Sequence, residues 1–286
     1  MISNNQVKIA FFGNSEFSLI VLKELKNNGI IPELIVTTPD KPQGRKMVLT
    51  PTPTKIWAEE NSVEYIEPLK LKDESFLSKI SNYNLFVVAS YGKIIPKVLV
   101  DMPEYNVLNI HPSLLPKYRG PSPLQTQILN DEKNVGVSIM LIDEQVDHGA
   151  IITQKRVDIS TWPVGFIALQ EILAKEGSNL LVEILPEWIR GKIKPVAQND
   201  NDATFTKKVE KADGLINLSE NNSKNFLKIL AYEDWPKTYF EIEKGKGIMR
   251  VIIKKAEMKD GSLEIQKVIP EGKKEMSYND FLRGHN

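Results

Sequence analysis

Asn109 and His111 stand one residue apart in the run Val107-Leu108-Asn109-Ile110-His111-Pro112-Ser113-Leu114-Leu115-Pro116. The apolar residues from Val107 to Ile110 read as the end of a buried strand. Side chains alternate along a strand, so Asn109 and His111 share one face. Pro112 removes a backbone donor and stops the ladder, which places His111 at the strand's carboxyl end. Open α/β sheets bind their ligands at that edge. A neutral imidazole beside an amide is a general base next to a hydrogen-bond donor. A lone histidine in a Pro-rich loop reads first as a satisfied structural residue, and it is the surrounding motif that changes this. Ser113 lacks a Gly-x-Ser-x-Gly elbow and reads as a structural or ligand-contacting serine rather than a nucleophile. A metal would recruit His111, Asp147 and His148, but no His-x-x-x-His or His-Glu-x-x-His spacing supports one, and no metal is expected.

The elements that must carry this pair alternate along the first two thirds of the chain. Val7 to Phe12 is a short apolar run closed by Gly13-Asn14-Ser15. Phe17 to Lys26 follows at helical spacing with Ser15 as its cap. Leu34-Ile35-Val36 and Leu85 to Ala89 are further strands, with helix-length segments at Thr54 to Asn61 and Asp73 to Ile80. Val135 to Leu141 and Ile151 to Val157 are strand-like, and Gly165 to Arg190 is a long amphipathic helix. The pattern predicts an α/β fold: a Rossmann-like, mostly parallel sheet with helices on both faces. The first turn holds one Gly instead of Gly-x-Gly-x-x-Gly, which argues against a nicotinamide dinucleotide. The polar run from Gly191 into residue 203 reads as a linker. Beyond it come a short helix (Asn225 to Ala231) and strands at Thr238 to Ile242, Met249 to Ile253 and Ser262 to Val268, separated by Gly-Lys-Gly and Asp-Gly turns. The expected division is therefore residues 1–190, a linker at 191–203, and a small β-rich domain at 204–286.

The totals set limits on function. A length of 286 residues suits one large domain or two modest ones, and 41% hydrophobic with 26% charged residues is the balance of a soluble globular protein. The formal charge is zero, so any polyanion site must be local. Basic residues cluster at Lys207-Lys208, Lys244-Lys246, Lys254-Lys255 and Lys273-Lys274, a pattern that a solvated surface also gives. There is no cysteine, hence no disulfide framework and no thiolate nucleophile, which suits a reducing cytoplasm. The apolar run at the N-terminus is too short for a signal-peptide core, and no window approaches a membrane span.

The longer motif Asn109-x-His111-Pro-Ser-Leu-Leu-Pro-x-x-Arg119-Gly-x-x-Pro123 resembles the signature of the folate-dependent formyltransferases. In that family an Asn, a His and a downstream Asp-x-Gly act on the formyl group of 10-formyltetrahydrofolate. Val146-Asp147-His148-Gly149 is similar to the third part, with His148 in place of the usual small residue. Phe12-Gly13-Asn14-Ser15-Glu16-Phe17 looks like the family's first turn, beside the folate. Val88-Ala89-Ser90-Tyr91-Gly92-Lys93-Ile94-Ile95-Pro96 resembles its pterin-side loop. Thr38 to Arg45, followed by Thr50-Pro51-Thr52-Pro53, is similar to the loop inserted at the tRNA acceptor end in the branch that formylates methionyl-tRNA. Ala203-Thr204-Phe205-x-x-Lys208, Trp235-Pro236 and Pro270 to Ser277 look like that branch's second domain and C-terminus. That domain is OB-like in the family and looks about one hairpin short here, between Glu257 and Leu263. Leu218 also stands where an aromatic is common.

The resemblance implies a co-substrate, 10-formyltetrahydrofolate, held by Gly13, Tyr91, Gly92, Ile94, Ser113, Leu114, Leu115 and Pro116. It implies initiator methionyl-tRNA as partner, contacted by Lys41, Arg45, Lys46, Lys207 and Lys273, and a monomeric enzyme in the cytoplasm. Formyl transfer to an amine needs a neutral amine and donors for the developing oxyanion. His111 is then the base, Asn109 the oxyanion donor, and Asp147 the residue that holds the imidazole or orients a relaying water. The long loop from Pro39 to Pro53 is expected to order on tRNA. Three other readings stay open at this point. Sugar-nucleotide amino-formyltransferases share the signature, hydrolysis of the formyl-folate uses the same residues, and a non-catalytic RNA-binding module is the bland alternative.

Overall fold

The computed structural model describes residues 7–44, 47–244 and 247–284. In chain order the strands and helices are β1 (Ile9–Phe12), α1 (Glu16–Asn27), β2 (Leu34–Val36), β3 (Lys41–Gln43), β4 (Val48–Thr50), α2 (Pro53–Glu60), β5 (Glu64–Ile66), α3 (Glu74–Ile80), β6 (Leu85–Val88), α4 (Lys97–Val100) and β7 (Val107–His111). They continue with α5 (Pro123–Leu129), β8 (Gly136–Leu141), β9 (Ile151–Arg156), α6 (Phe166–Ile189), α7 (Asn222–Ala231), β10 (Tyr239–Lys244), β11 (Gly247–Lys259), β12 (Ser262–Pro270), β13 (Met276–Ser277) and α8 (Tyr278–Arg283). The chain forms two compact units: one runs up to Pro121 and takes in Val135–Val157 and Gln170–Phe205, and the other comprises Ser122–Asn134, Asp158–Leu169 and Thr206–Asn286.

In the first unit the strands form one sheet in the order β5-β2-β1-β6-β7-β8-β9. β5, β2, β1, β6 and β7 run parallel, with helices in the crossovers between them, whereas the β7–β8 and β8–β9 pairs at one edge are antiparallel. The chain leaves β1 toward β2 and β5, then returns to place β6 on β1's other side. That reversal makes the carboxyl ends of β1 and β6 the switch point of the sheet. Register carries the edge across: Phe12 pairs with Val88, and Val88 with Asn109. Residues following β1, β6 and β7 therefore emerge together.

Alternation along β7 sorts its side chains. Leu108 and Ile110 enter the apolar core that also holds Val137, Ala174 and Leu181, which leaves Asn109 and His111 for the opposite face. Close approach of α6 to this strand depends on Gly177. A Cβ there would lie 2.5 Å from Ile110 Cγ2 and 2.9 Å from Val137 Cγ2. Helix α1 starts at Ser15, whose hydroxyl accepts from the Ser18 N–H and closes a capping box. The segment from Pro39 to Pro53, expected as a long loop, contains the antiparallel hairpin β3–β4, paired from Lys41–Thr50 to Gln43–Val48. The loop reading missed it because three-residue strands are too short to show a period.

The second unit holds a four-stranded antiparallel sheet in the order β10-β11-β12-β13. β11 passes directly into β12 through Asp260-Gly261, both at positive φ, so the sequence's Asp-Gly turn is a two-residue hairpin. The Gly-Lys-Gly turn lies partly at residues 245–246, outside the described residues. Phe240, Val251, Ile253, Val268 and Phe281 form the core under this sheet, and α7 packs against α5. Among the described residues no helix is long and apolar enough to cross a membrane.

Overpacking the α6–β7 contact gives a direct check. Gly177→Val is expected to cost about 1–3 kcal/mol, read as a lower midpoint in urea unfolding. An unchanged midpoint would show that α6 does not rest on Ile110.

Candidate active site

Asn109 and His111 are both buried, and their polar groups are treated differently. His111 Nε2 lies 3.0 Å from the Tyr118 carbonyl oxygen. A carbonyl only accepts, so Nε2 must carry the proton and donate. In the neutral ring the lone pair is then on Nδ1, and Nδ1 faces Asp147 Oδ1 at 3.7 Å. This is too long for a hydrogen bond, and both atoms are acceptors. Two acceptors opposed across that gap call for a donor between them, such as an ammonium or a water. The Asn109 amide makes no side-chain hydrogen bond with another described residue, so it stays available to a ligand.

Asp147 is held at both its side chain and its backbone. Its Oδ2 accepts from the Gly120 N–H at 2.8 Å, and its carbonyl accepts from Gln198 Nε2 at 2.9 Å. The same Gln198 amide donates to the Gly149 carbonyl at 2.8 Å. These bonds maintain Asp147 at φ +50°, a left-handed conformation unusual for a non-glycine residue. The glycine two residues on has a separate cause: a Cβ on Gly149 would stand 2.0 Å from the Leu141 carbonyl oxygen. The Asp-x-Gly spacing thus combines a turned carboxylate with a backbone contact that admits no side chain.

Arg119 anchors this arrangement from the loop after β7. Its buried guanidinium donates from Nε to Gln198 Oε1 at 2.9 Å and from Nη2 to Asp200 Oδ1 at 2.8 Å. His148 completes the outer ring, with Nδ1 2.6 Å from Asp143 Oδ2 and Nε2 3.6 Å from Asp200 Oδ2. Both of its nitrogens face carboxylates other than Asp147, so it neither competes for the His111 position nor fills the gap beside it. The Arg119 guanidinium holds the Asp200 carboxyl below its ordinary range, more than offsetting the smaller effect of desolvation.

The residues expected at a co-substrate fall into two groups. Gly13, Tyr91 and Gly92 follow β1 and β6 at the switch point, and Asn14 ties them together by donating from Nδ2 to the Tyr91 carbonyl at 2.7 Å. Thr54 braces the same turn by donating to the Gly13 carbonyl at 2.8 Å. Tyr91 is buried edge-on to Phe12, and its hydroxyl has no hydrogen-bond partner among the described residues. Burial pushes that phenol well above its ordinary range. Ile94 is largely exposed. Ser113, Leu114, Leu115 and Pro116 form the other group. The Ser113 hydroxyl is fully buried and donates to the Lys117 carbonyl at 2.6 Å, which is a loop-shaping contact. Leu115 is tied at both backbone groups, to Ser138 Oγ at 3.1 Å and Gln154 Nε2 at 2.8 Å.

Of the residues expected at tRNA, Lys41 is exposed on β3, and Lys207 and Lys273 are exposed in the second unit. Arg45 and Lys46 lie outside the described residues, as does His285. Among the described residues no cluster of His, Asp and Glu could hold a metal ion. Sequence reasoning missed Asn14, Gln198 and Asp200 as supports of the site. Gln198 and Asp200 belong to the polar run read as a linker, and residues up to Phe205 fall in the first unit.

Comparison with known proteins places these features among relatives. Residues 7–185 match the family described as formyl transferase. The methionyl-tRNA formyltransferase of Halalkalibacterium halodurans is 33% identical over 303 residues, covering 97% of this chain and 95% of that protein. The crystal structure of an N-formyltransferase from Helicobacter canadensis, with folinic acid and dTDP-3-aminofucose, superposes with a TM-score of 0.65 at 20% identity, covering 89% of each chain. A methionyl-tRNA formyltransferase structure from Clostridium thermocellum gives a TM-score of 0.61 at 18% identity, covering 93% of this chain and 99% of that one.

The Arg119–Asp200 pair has a definite pH signature. Asp200's carboxyl is depressed in the folded state, so its contribution to stability is present above its unfolded value and is lost as pH falls through the folded one. Wild type should exceed Asp200→Asn in stability at neutral pH, and the difference should vanish on acidification. A difference that stays constant with pH would contradict the pairing.

Proposed function

This chain belongs to the formyl transferase family, and from that premise we infer that it transfers the formyl group of 10-formyltetrahydrofolate to the free amino group of initiator methionyl-tRNA. One observation carries the chemistry: His111 Nδ1 and Asp147 Oδ1 face each other at 3.7 Å, on the strand face that also presents the Asn109 amide, which has no partner among the described residues. The acceptor follows from relatives that match over nearly the whole chain and are named methionyl-tRNA formyltransferases. The sugar-directed neighbours share the fold at 20% identity.

The residues present fit the formyl donor. The Tyr91 hydroxyl and the Asn109 amide, both without described partners, stand in or after adjacent parallel strands at the switch-point edge. Gly13, Tyr91, Gly92 and Ile94 would hold it on one side, with Ser113, Leu114, Leu115 and Pro116 on the other. The donor supplies an activated formamide carbon, to which the methionyl amine bonds as the bond to the folate nitrogen breaks. Asn109 donates its amide N–H to the formyl oxygen as negative charge builds there. His111 Nδ1 takes the proton that the amine must lose and passes it on to the departing folate nitrogen, which leaves as the N–H, while its own Nε2–H stays committed to the Tyr118 carbonyl. Asp147 Oδ1 accepts from a second hydrogen of the same amine, so nitrogen is oriented by two acceptors at once. Its carboxylate also favours the imidazolium that forms.

The exposed lysines Lys41, Lys207 and Lys273, together with Arg45 and Lys46, supply phosphate contacts that position the tRNA. The full chain acts as a monomer in the cytoplasm, where charged initiator tRNA and reduced folate meet.

Purified protein with 10-formyltetrahydrofolate and either methionyl-tRNA, an amino-sugar nucleotide or no acceptor tests this reading. Formylation of methionyl-tRNA alone is expected. Asn109→Ala, His111→Ala and Asp147→Ala should each slow it by roughly a hundred- to a thousandfold, about 3–4 kcal/mol, with unfolding midpoints near wild type. A His111→Ala enzyme that turns over normally, or a wild type that prefers the sugar nucleotide, would overturn the assignment.

A further inference from the structure

Phe205 is a large aromatic side chain left 71% exposed at the end of the first unit. An exposed phenylalanine on a floppy segment would mean little, but this one is fixed. Thr204, its neighbour, donates its N–H to the Pro116 carbonyl at 3.3 Å and accepts from the Arg119 N–H at 2.9 Å through its own carbonyl. The Thr204 hydroxyl accepts from the Tyr118 N–H at 2.8 Å, and Phe205 bridges to Arg119 in parallel strand fashion. The ring rests against the Arg119 guanidinium, whose Cζ is 5.9 Å from the ring centroid. That guanidinium cannot swing away, because Gln198 and Asp200 hold two of its nitrogens. The cation covers part of the ring, and the rest is open.

The stretch that fixes the ring also fixes the chemistry. Tyr118 presents its carbonyl to His111, and Gly120 presents its N–H to Asp147. Arg119 lies between them. The segment that carries the open aromatic face is thus hydrogen-bonded to the same Tyr118–Arg119 turn that orients the proposed base. In an aminoacyl-tRNA the reacting amine and the terminal base hang from one ribose. A ligand whose amine lies between His111 Nδ1 and Asp147 Oδ1 therefore carries its nucleobase on a short covalent tether, through the aminoacyl ester and the ribose.

We propose that Phe205 is the stacking platform for the terminal nucleobase of the aminoacylated acceptor, with Arg119 backing the ring on its covered side. The inference rests on the proposed acceptor and adds a binding site for its last base. Stacking suits the task because every base has a π-face, and a cation behind the ring strengthens its hold without reading sequence. The platform selects acceptors in which the amine is attached to a nucleoside and discriminates against free amino acids.

The test uses the full chain without formyl donor and two hydrolysis-resistant probes: methionine in amide linkage to 3′-amino-3′-deoxyadenosine, and the same amide on an abasic ribose. Base–aromatic stacking of about 1–3 kcal/mol corresponds to roughly 5- to 150-fold in affinity, so wild type should bind the adenosine probe that much more tightly. Phe205→Leu, which keeps size and apolarity, should bring the two probes within about twofold of each other, and Phe205→Trp should restore the gap. In turnover, Phe205→Leu should raise KM for methionyl-tRNA and leave kcat and the KM for the formyl donor near wild type. A wild type that binds both probes equally, or a Phe205→Leu protein that keeps the full gap, would overturn the proposal. Loss of methionyl-tRNA turnover in wild type would refute the proposed function instead, and the binding comparison, which needs no turnover, would still decide the platform.

Discussion

One hydrogen bond decides what the rest of the site can be: His111 Nε2 to the Tyr118 carbonyl, at 3.0 Å and out of water. Its partner cannot donate, so the tautomer is forced and the lone pair is sent to Nδ1. Had a hydroxyl or a carboxylic acid stood in place of Tyr118 O, either tautomer would fit, and the position of the free lone pair would be undetermined. The sequence between His111 and Tyr118 is rich in proline, closed on itself by Ser113 to Lys117 and tied to β8 by Leu115 to Ser138. That loop returns the chain so that residue 118 meets the ring of residue 111.

A second layer depends on the same turn. Tyr118, Arg119 and Gly120 are consecutive, and each holds a different part of the site: the imidazole, the Gln198–Asp200 segment and the Asp147 carboxylate. Gln198 then passes the constraint to the backbone at Asp147 and Gly149. The left-handed Asp147 and the backbone contact at Gly149 persist because neighbouring groups over-determine them. His148 belongs to this layer through Asp143 and Asp200 and takes no part in the proposed proton transfer. Its place in the ring accounts for a bulky residue being accommodated where the resemblance leads one to expect a small one.

What could be read from the chain follows the range of the forces involved. Local periodicity marks β1, β2, β6 and β7, because a buried parallel strand must be apolar throughout. It also marks α6, whose core-facing residues recur over many turns. Pro112 identifies the strand end, and the Asn109-x-His111 spacing gives a shared face from the pleat alone. Three features escaped for physical reasons. The hairpin β3–β4 consists of three-residue strands with no period to detect. The antiparallel direction of β8 depends on pairing with β7, and nothing in its own residues records it. Gln198 and Asp200 look like any polar loop residues, since their meaning comes from Arg119, some eighty positions away. The likeness of the motif to a known family supplied Asp147 as third member, and the geometry adds which imidazole nitrogen faces it.

The protonation pattern of His111 tests this account most directly. With uniformly 15N-labelled protein and His111→Gln for assignment, two-bond 15N–1H correlation spectra distinguish the two neutral tautomers. At a pH where the ring is neutral, the account predicts that the proton resides on Nε2, with Nδ1 unprotonated. A spectrum that placed the proton on Nδ1 would contradict it, because that nitrogen would then donate to Asp147 and could accept nothing from an incoming amine.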